Sequence, residues 1–94
     1  MVYLALDRAS ALKAIALAAS DGYAVWVGSD AISEEEHRRF GSEGVNLTRF
    51  TYALADANAS VVEGALATVA EHHPGEIIWV QHVARPRDGG TAAR

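Results

Sequence analysis

The chain has 94 residues, of which 50% are hydrophobic and 21% charged, and its formal net charge is −4. This length fits one domain with a modest core, and the composition is that of an ordinary globular protein. The absence of cysteine excludes disulfides, thiolate catalysis and cysteine-based zinc sites. The acidic balance argues against a protein that wraps duplex nucleic acid, so nucleic acid is not the expected partner.

Composition also bears on location. No apolar run approaches the roughly 20 residues that a membrane helix needs, and Asp7 interrupts the first apolar run, unlike a signal peptide. Seven of the eight basic residues are arginine and alanine is abundant, as in proteins from GC-rich bacterial genomes. We therefore expect a cytoplasmic bacterial protein without a membrane partner.

The first half of the chain predicts a strand, a helix and a strand. Residues 2–6 are apolar and predict a strand, and the apolar residues that follow recur at helical spacing. Asp7 or Ser10 can cap the start of that helix, and Gly22 can end it in a left-handed conformation. A second apolar run, residues 23–27, predicts a buried strand.

The middle of the chain predicts a short helix and another strand. Ser33 and Glu36 have the spacing of a capping box, which predicts a helix start. Only Ile32 and Phe40 are large apolar residues there, so we expect an exposed helical insertion. Residues 45–54 alternate between apolar and polar side chains, which predicts a half-buried strand.

The last part predicts a helix, a strand and a tail. Ser60 and Glu63 form a second capping-box pattern, and an apolar stripe then runs to about His72. Pro74 and Gly75 end this helix, and residues 76–83 predict the final strand. We thus expect a single α/β domain over residues 1–83 and a flexible C-terminal tail over residues 84–94.

Two architectures fit this order of elements. If the short helix only decorates a wide hairpin, the chain is an α/β sandwich of the ferredoxin-like split βαβ kind, with one bare sheet face. If that helix is a true crossover, the sheet is a small doubly wound parallel sheet with helices on both faces. Side-chain alternation favours the first arrangement, because it leaves several aromatic residues together on the face without helices.

That aromatic face is the strongest candidate for function. Tyr3, Trp26 and Trp79 combine large apolar rings with polar atoms, as residues at protein interfaces often do. The predicted interface consists of Tyr3, Trp26, Arg49, Trp79 and Gln81. The same rings could stack the bases of single-stranded RNA, although the sequence lacks the signature of an RNA-recognition strand. Alternatively, both tryptophans belong to an ordinary core.

A second candidate site lies at the ends of the strands. Asp7, Asp30 and Asp56 follow the first three strands, and Ser29 lies beside one of them. In a parallel sheet these residues would meet at the carboxyl edge and could bind Mg²⁺ or a phosphate group. The simpler interpretation is that each aspartate caps a helix or shapes a loop.

The remaining polar residues predict no cofactor. Four histidines occur, but none has the His-x-x-x-His or His-x-His spacing of a local metal site. The glycine-containing turns match no phosphate-binding loop or nucleophile motif. An enzyme is therefore not the favoured interpretation. The sequence favours a small protein that acts through protein contacts, and most simply through contacts with itself.

Overall fold

The computed structural model describes residues 1–82, which form four strands and three helices. In chain order they are β1 (Val2–Ala5), α1 (Arg8–Asp21), β2 (Ala24–Val27), α2 (Glu34–Ser42), β3 (Leu47–Arg49), α3 (Ala59–His72) and β4 (Ile78–Gln81). The predicted tail over residues 84–94, together with Val83, lies outside the described residues.

The strands form one sheet in the order β3-β2-β1-β4, and all three neighbouring pairs are parallel. The ferredoxin-like prediction is therefore wrong, because that fold needs antiparallel neighbours. The parallel alternative describes the chain. The physical reason is α2, which is a crossover between the parallel strands β2 and β3 and not a decoration on a hairpin.

Helices lie on both faces of this sheet. On one face, α1 packs its small residues closely against β1 and β2. The buried cluster there comprises Tyr3, Ala5, Val25 and Val27 from the strands and Ala11, Ala14, Ile15 and Ala18 from α1. On the other face, α3 contributes Ala65 and Val69 to a second cluster. Covering both faces explains why β1 and β2 are apolar at every position.

Local sequence signals set the ends of the helices. Asp7, one of the two predicted caps of α1, accepts a hydrogen bond from the Ser10 N–H, and Gly22 ends α1 with a φ of 79°. The capping box of Ser33 and Glu36 is confirmed. The predicted capping box of Ser60 is wrong, because Asn58 caps α3 and the helix starts before Ser60.

The strand predicted over residues 45–54 is much shorter in the structure. Only Leu47–Arg49 pairs with β2, and the chain then folds back over the end of β2 as a loop. The Ser29 N–H donates to the Tyr52 carbonyl, and a Cβ atom on Gly28 would lie 2.8 Å from the Leu54 nitrogen. Glycine is thus required at position 28 because the loop backbone passes directly over it.

Among residues 1–82, no helix is both long enough and apolar enough to cross a membrane.

Candidate functional site

The predicted aromatic face does not exist as one surface. In the parallel register Tyr3 is the neighbour of Val25, and Leu4 is the neighbour of Trp26. Tyr3 and Trp26 therefore lie on opposite faces of the sheet. Alternation shows which residues of one strand share a face. The sequence does not show which residues of the neighbouring strand lie on that same face. Placing Tyr3 and Trp26 together was wrong for this reason.

Trp26 belongs to the core on the α3 face. Its side chain is 7% exposed, and its ring centroid lies 5.2 Å from that of Phe50 and 5.2 Å from that of His72. The indole N–H donates to Nε2 of His73 at 3.1 Å. Because the indole nitrogen can only donate, His73 accepts at Nε2 and carries its proton on Nδ1. Trp26 therefore connects β2 with the end of α3.

A chain of polar contacts continues from His73 to the N-terminus. Nδ1 of His73 lies 3.1 Å from Oε2 of Glu76, and Oε1 of Glu76 accepts from the Met1 ammonium at 2.8 Å. Both contacts lower the pKa of Glu76 below its ordinary value, and the hydrogen bond from the Met1 ammonium has the larger effect. They hold the segment leading into β4 against the start of β1.

Tyr3 is also part of the core. Its ring is buried on the α1 face, and its hydroxyl donates to Oδ2 of Asp21 at 2.8 Å. This hydrogen bond raises the pKa of the Tyr3 hydroxyl above its ordinary value. A buried ring with its hydroxyl committed to Asp21 offers no surface for stacking a base.

Arg49 fixes the loop that follows β2. Its Nε donates to the Ile32 carbonyl and its Nη2 to the Ser29 carbonyl, each at 2.9 Å. Its Nη1 lies 4.0 Å from a carboxylate oxygen of Glu34. A guanidinium that binds two carbonyls of one loop acts as a clamp, because each bond fixes one backbone group.

The parallel sheet brings the strand ends to one edge, yet the predicted aspartates serve the backbone there. Asp7 caps α1, and Oδ1 of Asp30 accepts from the Leu54 N–H at 3.2 Å. The Leu54 backbone also covers Gly28, next to Ser29. Within residues 1–82, no three His, Asp or Glu side chains are grouped closely enough to hold a metal ion.

Asp56 lies in the loop before α3, with a φ of 63°. It borders a wide, open groove of about 580 Å³ whose lining is mostly apolar. The lining residues are Tyr52, Ala53, Asp56, Ala57, Asn58, Val61 and Gly64. This lining contains no basic side chain that could neutralise a phosphate, so the groove does not supply the predicted phosphate site.

The strand β4 presents a different surface. Within the described chain it lies at one end of the sheet and pairs only with β1. Ile77 is 67% exposed, Trp79 52% and Val80 40%. Trp79 is the neighbour of Tyr3 and lies on the α1 face, whereas Val80 is the neighbour of Leu4 and lies on the α3 face. We call Ile77, Trp79 and Val80, with the outer backbone of β4, the β4 edge surface.

Gln81 ends β4 opposite Ala5. It shares the α1 face with Trp79, as predicted from alternation. Its Oε1 is buried and has no hydrogen-bond partner among residues 1–82. Of the five predicted interface residues, Trp79 and Gln81 therefore lie on the β4 strand itself, whereas Tyr3, Trp26 and Arg49 have structural contacts elsewhere.

Comparison with known protein families, with curated proteins and with solved structures finds no match to this chain. The β4 edge surface therefore rests on the geometry of the chain alone.

Sequence reasoning missed Ile77 and Val80 as surface residues. The run Ile77-Ile78-Trp79-Val80 has the continuous apolar character of a strand buried on both faces, and nothing in it distinguishes an edge strand from a central one.

Proposed function

We propose that this chain is a non-enzymatic domain of the bacterial cytoplasm that acts through protein–protein contacts, and that it associates with itself through the β4 edge surface. One observation carries the proposal: Trp79, a residue that is 52% exposed, lies on a strand at the edge of the sheet that residues 1–82 form. Tryptophan is enriched among the residues that dominate binding energy at protein interfaces.

The composition of β4 supports this assignment. Natural proteins usually protect the edge of a sheet with charged side chains, proline, bulges or a covering element. β4 has the sequence Ile-Trp-Val-Gln and carries no charged residue and no proline. Its apolar side chains are exposed on both faces of the sheet. A partner that covers β4 would remove these side chains from water.

The neighbouring helix extends this surface. Arg8 of α1 donates to the Ala31 carbonyl, which places Arg8 on the flank of α1 towards β2. Leu17 comes nine residues later, about two and a half helical turns, and lies on the opposite flank towards β4. Leu17 is 48% exposed. A partner at β4 can therefore contact both Trp79 and Leu17.

The ligand-binding alternative, a Mg²⁺ or phosphate site at Asp7, Ser29, Asp30 and Asp56, has less support. Two of these carboxylates already accept hydrogen bonds from backbone N–H groups, and binding a cation would compete with those bonds. NMR titration with MgCl₂ separates the two functions. Shifts confined to Asp7 and Asp30 would favour the Mg²⁺ site, and unchanged resonances favour the interaction domain.

The weaker alternative, binding of single-stranded RNA, depends on exposed rings. Tyr3 and Trp26 are buried, which leaves Trp79 as the only one of the three predicted stacking residues with an accessible ring. Tryptophan fluorescence that does not respond to an oligoribonucleotide would exclude this function.

The test of the proposed function is molar mass in solution, measured by light scattering after size exclusion at several protein concentrations. The wild-type chain should approach twice 10.0 kDa as its concentration rises. Trp79→Glu should stay near 10.0 kDa and remain folded by circular dichroism, because it places a charge in the contact.

Leu12→Glu is the matched control. Leu12 is 39% exposed on α1 but lies one turn after Arg8, on the flank away from β4. The same apolar-to-acidic change there should leave the wild-type mass behaviour intact. A wild-type chain that stays monomeric at every concentration would contradict the proposed function, and so would equal effects of the two substitutions.

A further inference from the structure

The backbone of β4 defines which of its groups face away from the sheet. The Val2 N–H donates to the Ile77 carbonyl and the Leu6 N–H to the Gln81 carbonyl, so these two residues of the β4 segment face β1. Because backbone groups alternate in direction along a strand, Trp79 also faces β1, whereas Ile78 and Val80 face outwards. Within the described chain, no strand pairs with that outer side.

An antiparallel strand can satisfy both outward residues at once. In antiparallel pairing, hydrogen-bonded and non-hydrogen-bonded pairs alternate, and two outward residues that face each other form a hydrogen-bonded pair in which they exchange both backbone hydrogen bonds. If Trp79 lies opposite Trp79 of a second copy, Ile78 lies opposite Val80 of that copy and Val80 lies opposite its Ile78. Two such exchanges use the N–H and the carbonyl of Ile78 and Val80 in both copies.

We propose that a second copy of this chain pairs antiparallel with β4 about a two-fold axis at Trp79, which joins the two four-stranded sheets into one. This arrangement rests on the proposed function, since it specifies how the chain associates with itself. It is isologous: the same surface contacts itself, so two copies close the assembly and no further edge of β4 remains.

The side chains fit this axis. The two Trp79 residues form a pair without backbone hydrogen bonds between them, in which the Cα atoms are about 4.5 Å apart. Both rings lie on the α1 face, where α1 packs over β1 and β2 and leaves Trp79 exposed. On the α3 face, Ile78 and Val80 form two apolar cross-strand pairs, which stabilise antiparallel sheets.

The polar side chains at the two ends of the pairing are complementary. The same register places His82, which is exposed, opposite Glu76 of the second copy. Glu76 is already held in place by the Met1 ammonium and by His73. A histidine facing a fixed carboxylate at each end favours this register, because an imidazole N–H can donate a hydrogen bond to a carboxylate oxygen.

Other registers either form no backbone hydrogen bonds or pair β4 with residues outside β4. A shift of one residue places an outward residue opposite an inward one, so no hydrogen bonds form. A shift of two residues, with Ile78 opposite itself, pairs Val80 with Glu76, whose N–H already donates to the His73 carbonyl. A shift of two residues in the other direction, with Val80 opposite itself, pairs Ile78 with His82, which lies outside β4. The register centred on Trp79 is the one that pairs the two outward residues of β4 with each other.

The experiment that tests the arrangement is isotope-filtered NMR on the wild-type chain, with equal amounts of labelled and unlabelled copies at a concentration where the molar mass is dimeric. The expected result is a set of intermolecular contacts between Ile78 and Val80. Contacts of Ile78 with itself, or none from β4, would overturn the arrangement while self-association stands. A monomeric mass would instead overturn the proposed function itself.

Single-cysteine variants give a second readout, because the natural chain has no cysteine. Under mild oxidation Trp79→Cys should form a disulfide-linked dimer, since a disulfide needs Cα atoms within about 7 Å. Ile77→Cys is the control: its two copies would lie roughly 14 Å apart along the paired strands and should remain unlinked. Faster linkage of Ile77→Cys than of Trp79→Cys would contradict the register.

Discussion

The two edges of the sheet differ in whether another part of residues 1–82 covers their outward backbone groups. At the β3 edge, the Asn46 carbonyl and the Phe50 N–H bond to β2, so Leu47 and Arg49 face outwards. Nε2 of His37, on α2, lies 2.9 Å from the Leu47 carbonyl oxygen and forms a hydrogen bond with it. At the β4 edge, Ile78 and Val80 face outwards with no such covering element in the described chain.

The side chains of the two edges differ in the same direction. β3 has three residues, Leu47, Thr48 and Arg49, and all are partly buried under neighbouring elements. The β4 edge surface exposes Ile77, Trp79 and Val80. Within residues 1–82, one fold therefore contains an edge covered by its own chain and an edge without such a cover. Edge position is therefore common to both strands, and the cover supplied by α2 is what distinguishes β3 from β4 within residues 1–82.

The two tryptophans give the largest expected contrast. Trp26→Ala removes a buried ring packed against Phe50 and His72, and should lower the free energy of unfolding by about 3–5 kcal/mol. Trp79→Ala, measured at concentrations where the chain is monomeric, should change it by less than about 1 kcal/mol. Urea unfolding followed by circular dichroism measures both. Equal losses would mean that Trp79 is a core residue, and the open edge would not exist.

Arg49→Met tests the clamp next to the β3 edge. The guanidinium donates to the carbonyls of Ser29 and Ile32, and hydrogen bonds from charged groups contribute about 1.5–3 kcal/mol each. The variant should lose about 3 kcal/mol of unfolding free energy in urea, the lower end of the sum for two such bonds, because methionine keeps part of the packing. Its molar mass against concentration should match that of the wild type. A loss of self-association would indicate that the interface lies at Arg49 and not at β4. Arg49 was also among the interface residues predicted from the sequence.

His37→Ala tests the cover of the β3 edge itself. The variant leaves the Leu47 carbonyl without its side-chain partner and should cost about 1 kcal/mol of unfolding free energy. Urea unfolding at neutral pH measures this loss. His37→Gln is the control, because its amide can still donate a hydrogen bond and should recover part of the stability. No difference between the two variants would show that the contact does not protect this edge.

The smallest expected effect on stability comes from the Arg8–Glu36 contact, which connects α1 with α2, and this effect depends on pH. Arg8 donates two hydrogen bonds of 2.9 Å to the Glu36 carboxylate and lowers the pKa of Glu36 to about 2 from its ordinary value of 4.5. A lowered pKa in the folded state means that this stabilisation is complete above pH 4.5 and disappears as the pH falls towards 2.

Glu36→Gln removes this pH-dependent contribution. Between pH 5 and pH 3, the urea midpoint should fall more for the wild type than for the variant, because only the wild type has this carboxylate to protonate. Since the pair lies at the surface, the difference should be small and should shrink in high salt. Parallel pH profiles for the two proteins would contradict the assignment.

The sequence predicted the order of the elements well because local signals set it. Apolar runs, the caps at Asp7 and Ser33 and the stop at Gly22 act within a few residues, and the structure confirms these caps and this stop. The start of α3 was wrong by a short distance, since Asn58 and Ser60 are both good caps and the sequence does not rank them.

Strand direction and phase were not predictable in the same way. Whether α2 decorates a hairpin or crosses between parallel strands depends on which strands pair, and pairing is decided by contacts far apart in the chain. The error over Tyr3 and Trp26 follows directly, because the parallel register pairs Tyr3 with Val25. For the same reason, Ile77 and Val80 became surface residues only once β4 was placed at an edge.

The measurement that tests the central claim most directly is amide hydrogen exchange at the outward residues of both edges, followed by NMR at increasing protein concentration. At β4, the N–H groups of Ile78 and Val80 should exchange rapidly in dilute solution and become protected as the concentration rises. At β3, exchange of the Leu47 and Arg49 N–H groups should not depend on concentration. Concentration-independent exchange at Ile78 and Val80 would contradict the claim that β4 is the edge through which this chain associates.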